Sequence, residues 1–186
     1  MFRGGGRSTG AGRRISRRPA LIFAGRFSMT WMLLAALLAA APPLDGRGHP
    51  VKDDLLEQLA GSWKLTGTAA GGRPAQNDVT AEWVLDHQFL RIRFENGPYQ
   101  AHVYLGYDNL SDRYVAHWLD VFGGRWSETL GYGHRQENAI ELIFEYPDGP
   151  FHTTFRREGP GWRILMEQRD SAGQWKPFAD QVLRKP

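Results

Sequence analysis

Aromatic and acidic residues alternate along two stretches of the sequence in a pattern that could line a binding pocket. Tyr114, Trp118 and Asp120 are separated by even numbers of residues, so their side chains share one face if the segment is a β-strand. Trp126 and Glu128 have the same spacing in the next segment. Aromatic surface with a few polar groups suits an apolar small molecule, so we expect a ligand-binding wall near one end of the fold. A plainer interpretation is that both tryptophans are core residues and Asp120 caps a turn.

The remaining candidate residues for ligand binding are Trp83, Arg91 and Tyr104. Arg91 alternates with apolar neighbours along its segment, so we expect its side chain to face solvent unless it enters the cavity as the partner of a carboxylate. The second arrangement needs that partner, because an enclosed arginine is costly when it is unpaired.

Histidine, serine and acidic residues could also form a catalytic pair, as with His117 and a carboxylate or Ser127 and Glu128. The sequence has no glycine-flanked nucleophile and no phosphate-binding loop. His117 and Asp120 are three residues apart, so on a strand their side chains point to opposite faces. No two histidines have the spacing of a helical metal site. We therefore expect no catalytic residue, metal or cofactor, and keep as an alternative an isomerase or hydrolase that uses Asp120 or Glu128.

Short segments of strand-forming residues recur along the chain, and turn signals divide them. Asn96-Gly97-Pro98 is one such signal, because Asn-Gly readily adopts the positive φ of a hairpin turn. No helical pattern long enough to cross a sheet separates the segments, which argues against a parallel α/β fold. We predict an all-β fold, a single antiparallel up-and-down β-barrel of about ten strands. The predicted strands are residues 62–68, 79–85, 89–95, 99–107, 113–121, 126–132, 140–146, 151–157, 162–169 and 177–183.

The strand segments carry one apolar face. Apolar residues occupy every second position of residues 89–95 and 140–146, and most positions between them are charged. This alternation is typical of a β-sheet with one face packed on an apolar core and the other face exposed to solvent. Before the strands, residues 53–60 have the pattern of a short helix with leucines at 55, 56 and 59 on one side, and Gly61 ends it.

Charge divides the chain into two parts. The chain has 23 lysines and arginines and 20 acidic residues; eight arginines and one aspartate fall in residues 1–50. Residues 51–186 therefore hold 15 basic and 19 acidic residues, a net charge of −4. Because the globular part is acidic, a basic nucleic-acid-binding face is excluded.

Residues 1–49 have the pattern of an export signal. An arginine-rich stretch ends at Arg26, an uncharged run follows to Leu44, and small residues occupy positions 39–41. The apolar run is too short to span a bilayer, which takes about 20 residues. We expect a periplasmic or secreted protein with a barrel domain at residues 50–186 and no integral membrane span; an uncleaved anchor is the alternative. The chain has no cysteine, so disulfides and a lipid-bearing cysteine are excluded.

Two motifs carry a resemblance to known families. Leu59-Ala60-Gly61-Ser62-Trp63 places Gly-x-Trp directly after the short helix, at the head of the first strand. This arrangement resembles the calycin superfamily, which includes lipocalins and fatty-acid-binding proteins. The resemblance implies that the tryptophan closes one end of the barrel and packs against a basic residue of the last strand, Arg184 or Lys185.

The second motif is Leu105-Gly106-Tyr107-Asp108-Asn109, followed by the segment 114–120 and by Gly131. It resembles a family of small exported bacterial proteins of unknown function with a calycin-like fold, over about residues 55–184. This resemblance implies a fold and no activity. The haem-binding nitrobindins share the Gly-x-Trp, but of their later glycine pattern only Gly67 is present.

These observations together predict an exported protein that holds a hydrophobic or amphipathic small molecule inside its barrel. A calycin-type enzyme acting on an apolar substrate is one alternative. The other is a structural or partner-binding envelope protein whose barrel is filled with side chains. The volume of the barrel interior distinguishes these functions, and the sequence does not indicate an oligomeric state.

Overall fold

A computed structural model describes residues 50–186, and these residues form one closed antiparallel barrel; the predicted leader lies outside them. Each strand pairs with the next along the chain, and the last pairs with the first. The predicted all-β, ten-stranded, up-and-down barrel is confirmed. No helix within the described residues is long and apolar enough to cross a membrane. The elements are α1 (Asp54–Leu59), β1 (Gly61–Ala69), β2 (Arg73–Val84), β3 (Phe89–Glu95), β4 (Ala101–Asp108), β5 (Arg113–Asp120), β6 (Leu130–Gln136), β7 (Ala139–Tyr146), β8 (Gly149–Glu158), β9 (Gly161–Arg169) and β10 (Trp175–Arg184).

One predicted strand is displaced. We expected it to begin at Trp126, whereas β6 begins at Leu130. Gly123 and Gly124 have φ values of 56° and 53°, and the chain then makes a 3-10 turn that ends at Trp126. Trp126 and Glu128 therefore lie in the β5–β6 loop, and the prediction that they share a strand face is wrong.

The inward faces of the strands fill the middle of the barrel with side chains. A side chain beside an empty space large enough for water would have accessible surface, whereas many inward side chains here have none. The described barrel is thus packed through its centre, as protein cores are. Inward side chains with 0% exposure include those of Leu90, Ile92, Val103, Leu105, Ala116, Ile140, Leu142, Phe155, Trp162, Ile164 and Leu183.

Two glycines of β6 make room for this packing. A Cβ on Gly131 would lie 2.5 Å from the ring of Phe144, and one on Gly133 would lie 1.6 Å from the carbonyl oxygen of Glu141. Both distances are shorter than any van der Waals contact. Gly131, part of the second sequence motif, is therefore explained by the aromatic ring that occupies its side of the interior.

Helix α1 covers one end of the barrel, and the prediction of a short helix before the strands is confirmed. Its leucines at 55, 56 and 59 are all buried. Asp53 caps the helix, because its Oδ1 accepts hydrogen bonds from the backbone N–H groups of Leu55 at 2.8 Å and Leu56 at 3.0 Å. The burial of three leucines and the cap together hold a helix that is too short to be stable alone.

Trp63 of β1 contacts both helix α1 and the residue that follows β10. Its Nε1 donates to the carbonyl oxygen of Leu59 at 2.7 Å, and its ring lies 3.6 Å below the Nζ of Lys185. An ammonium over an indole face is a favourable cation–π arrangement. Of the two basic residues that the resemblance implied, Lys185 is the partner of Trp63, and it follows β10 directly.

We expect Gly133→Ala to lower the free energy of unfolding by about 3 kcal/mol or more, because its Cβ would overlap the backbone of β7. Gly71→Ala is the matched control. Gly71 has a φ of 70° and faces open space, so only the left-handed conformation is penalised, at about 1 kcal/mol. Urea denaturation measures both, and equal losses would contradict the packing of β6 against β7.

Candidate functional site

The predicted site residues lie in separate parts of the barrel. Arg91 and Tyr104 are cross-strand neighbours on the outer face, and Arg91 donates to the Oε1 of Glu82 at 2.6 Å. The expectation that Arg91 faces solvent is confirmed. Trp83 lies at the end of the barrel covered by α1, where its ring stacks on His87 at 3.9 Å. The remaining residues divide between that end and the opposite one.

The opposite end, here called the aromatic end, brings together three of the predicted residues. Trp118 donates from Nε1 to the hydroxyl of Tyr99 at 2.7 Å, and Tyr99 donates to the Oδ2 of Asp120 at 2.9 Å. Trp126 lies 6.0 Å from the ring of Tyr146. Trp118 is only 6% exposed, so it is a core residue, in agreement with the plainer interpretation of the sequence.

Asp120 accepts a backbone hydrogen bond at the aromatic end. Its Oδ1 accepts the N–H of Phe122 at 3.0 Å, so it caps the turn after β5. Two tyrosines at this end have raised pKa values. Burial is the main cause that raises the pKa of Tyr99, and the negative charge of Asp120 is the second. The same two causes raise the pKa of Tyr146 to about 12. Glu128 is exposed in the loop that follows.

Contacts between aromatic rings cover much of this end. Tyr146 stacks on Phe144 at 5.6 Å between centroids and meets the edge of Phe151 at 5.5 Å. Phe151 in turn contacts Phe178 at 4.9 Å. These rings pack on one another at the mouth of the barrel. Of the residues predicted to line a wall here, Trp118 is buried in the core, whereas Trp126 and Glu128 lie in the β5–β6 loop.

The end covered by α1 has an open space beside the helix. A cleft of about 570 Å³, here called the helix-end cleft, is bounded by the segment 50–53, the β4–β5 hairpin and the end of β6. Gln88 completes its wall from the β2–β3 turn. The backbone N–H of Val51 donates to the carbonyl oxygen of His87 at 3.0 Å, which ties the segment before α1 to that turn.

Two tyrosines of the β4–β5 hairpin line this cleft. Tyr107 and Tyr114 are paired in register, and their rings meet edge to face at 5.1 Å. Tyr107 donates its hydroxyl proton to Asp112, and Tyr114 donates to Asp53. The hydrogen bond to Asp112 raises the pKa of Tyr107, and burial together with Asp53 raises that of Tyr114. Both phenols therefore stay neutral, with their protons directed to carboxylates.

An ion-pair network fixes the wall formed by β6. Arg135 donates from Nη1 to Asp54 at 2.6 Å and to Asp53 at 3.4 Å. The hydrogen bond from Arg135 lowers the pKa of Asp54. Asp53 thus joins the helix N-terminus, Tyr114 and Arg135, and its position decides where α1 lies beside the cleft.

Of the cleft residues, sequence reasoning identified Tyr114 and missed its neighbours. Tyr107 and Tyr114 are equally distant from the centre of the turn between them, and residues so placed in a hairpin face each other. That symmetry was available in the sequence. The approach of Asp53, His134 and Arg135 follows only from barrel closure, which no local pattern encodes.

No group of three or more histidine, aspartate and glutamate side chains within residues 50–186 is arranged to hold a metal ion. The carboxyl groups whose pKa shifts clearly all shift downward, because basic side chains or N–H donors stabilise the anion: Asp54, Asp78, Glu82, Asp108 and Asp180. A general acid needs the opposite shift.

The chain matches the model of one protein family over residues 51–184. It belongs to the family described as protein of unknown function (DUF1579). This agrees with the expected membership of a family of unknown function. No curated protein matches the chain significantly. Among solved structures it is similar to a redesigned β-barrel, at 12% identity and a TM-score of 0.33, over 71% of this chain and 95% of that chain; a likeness this weak does not bear on function.

We expect Asp53→Ala to lower the free energy of unfolding by about 2 kcal/mol, because the helix loses its cap and Tyr114 loses its acceptor. Asp54→Ala is the matched control in the adjacent position. It removes only an ion pair of an exposed carboxylate, which contributes little in water. Chemical denaturation compares the two, and a larger loss for Asp54→Ala would contradict the role given to Asp53.

We expect the stability of the barrel to fall as the pH rises above about 10. The unfolded state releases the Tyr146 proton near its ordinary pKa of 10.0, whereas the folded state keeps it to about 12. Stabilisation is therefore complete below pH 10 and is lost through this window. Tyr146→Phe should show a shallower decline than the unmodified protein in urea titrations, with little change at pH 7. An unchanged slope would contradict the burial of Tyr146.

Proposed function

We propose that the protein is an exported small-molecule-binding protein and that the helix-end cleft is its binding site. The observation that carries this proposal is a cleft of about 570 Å³ beside a barrel whose centre is filled. Small-molecule sites have volumes of about 300 to 1,000 Å³. A ligand bound at the centre would have to displace core side chains, whereas the cleft needs no such rearrangement.

The lining of the cleft supports binding. Tyr107 and Val51 offer apolar surface, and the amides of Gln88 and Asn109 offer hydrogen bonds from separate segments of the wall. Apolar surface with a few convergent polar groups is typical of ligand sites. The ligand expected from the sequence was hydrophobic or amphipathic, and the cleft favours an amphipathic one because its rim is polar.

Two further parts of the proposal rest on the sequence. Export rests on the signal-like pattern of residues 1–49. A relationship to the calycin superfamily rests on the Gly-x-Trp motif and is supported by the contact of Trp63 with Lys185 at 3.6 Å. A shared fold does not supply a function, so the binding proposal depends on the cleft alone.

One alternative has an observation in its favour. The filled centre is what a structural or partner-binding envelope protein would have, and such a protein would not need the cleft. The enzyme alternative has less support, since the carboxyl groups with clear pKa shifts favour the ionised form.

The test is a fragment screen monitored by two-dimensional NMR of the full chain. We expect compounds to shift the resonances of Gln88, Tyr107 and His134. Asn109→Ala should lower the binding affinity of these compounds about tenfold, which corresponds to the loss of one good hydrogen bond. His102→Ala is the matched control, because His102 is equally exposed but lies on the outer face of β4.

Two results would count against the proposal. If compounds shift only Trp118, Tyr99 and their neighbours, the binding site lies at the aromatic end. If no compound in a diverse screen shifts either end, the partner-binding alternative is favoured instead.

A further inference from the structure

The helix-end cleft contains two charges of opposite sign that the protein itself does not neutralise. Asp112 lies at the end of the β4–β5 turn and Lys52 lies in the segment before α1, and both line the cleft. Neither forms an ion pair with another of the residues 50–186. Both side chains are exposed at the rim, so their charges are available to a ligand.

The wall that holds Asp112 presents hydrogen-bond acceptors. The hydroxyl protons of Tyr107 and Tyr114 are already donated to Asp112 and Asp53. Tyr114 is buried, and the partly exposed oxygen of Tyr107 therefore offers a ligand only its lone pairs. Together with the second carboxylate oxygen of Asp112, it forms a surface that accepts hydrogen bonds, and the aromatic face of Tyr107 favours a cation.

The remaining wall presents donors. Arg135 is held by Asp54 and by the carbonyl oxygen of Glu137 at 3.0 Å, which leaves Lys52 as the available cation. Lys52 is exposed in the segment before α1, so its ammonium group can reach an acidic group of a ligand in the cleft.

We propose that the ligand of the helix-end cleft is a small zwitterion, with an ammonium group that faces Asp112 and the Tyr107 oxygen and an acidic group that faces Lys52. A short apolar chain between the two groups would lie over Tyr107. This inference rests on the proposed function and adds the chemical class of the ligand.

Three probes of equal length test the class: 6-aminohexanoate carries both charges, hexylammonium carries one and hexanoate carries the other. Binding to the full chain is followed by NMR titration at neutral pH and low salt, because salt screens exposed charges. We expect 6-aminohexanoate to bind about fivefold more tightly than either singly charged probe, which is the upper end of what an ion pair between exposed groups contributes in water.

Two conservative variants assign each charge. Lys52→Met should lower the affinity for 6-aminohexanoate to that for hexylammonium, and Asp112→Asn should lower it to that for hexanoate. Asparagine can still accept the Tyr107 proton and tolerates the φ of 53° at this position, so the hairpin is retained. Lys176→Met, at the far end of the barrel, is the matched control and should change nothing.

The outcomes separate this inference from the proposed function. If singly charged probes bind as tightly as 6-aminohexanoate, or if neither variant changes its affinity, the zwitterion is excluded. If screened fragments of other chemical classes still shift the NMR resonances of Tyr107 and His134, the proposed binding function stands without the zwitterion. If no compound shifts the cleft at all, both are overturned.

Discussion

The pairing of β1 with β10 is the constraint on which the rest of the structure depends, because it turns a ten-stranded sheet into a closed wall with an interior to fill. The interior is filled by large side chains, and Trp63, Trp162, Phe94, Phe144 and Phe155 are among the largest that are completely buried. Packing of this density stabilises the barrel through dispersion and through loss of apolar surface from water. It also excludes a ligand from the centre of the barrel.

The two ends of the barrel are closed in different ways. At the aromatic end, rings pack on one another and on the turn capped by Asp120, so the mouth becomes part of the core. At the other end, a single short helix lies across the opening and is anchored by Asp53 and Trp63. A helix of six residues leaves space beside it, and the cleft occupies that space. The segment that leads into this helix, residues 50–53, forms one wall of the candidate site.

The sequence predicted the fold well because alternation and turn chemistry are local properties. Strand number and the inward face of Tyr114 and Trp118 follow from period-two patterns and turn signals, and the short helix follows from the helical spacing of its leucines. The start of β6 was misplaced because the residues after Gly124 alternate like a strand, whereas two glycines with positive φ make the chain turn first. The cleft was missed because Lys52 and Asp112 are remote in sequence and line one space only in the folded barrel.

The most direct test is a crystal structure of the protein under xenon pressure, because xenon enters apolar cavities that water leaves empty. We expect no xenon between the inward faces of the strands, around Leu105, Ile140 and Phe155, since these side chains already have no accessible surface. A xenon atom bound in that region would show that the barrel has an interior cavity. It would return the binding site to the centre and contradict its placement at the helix end.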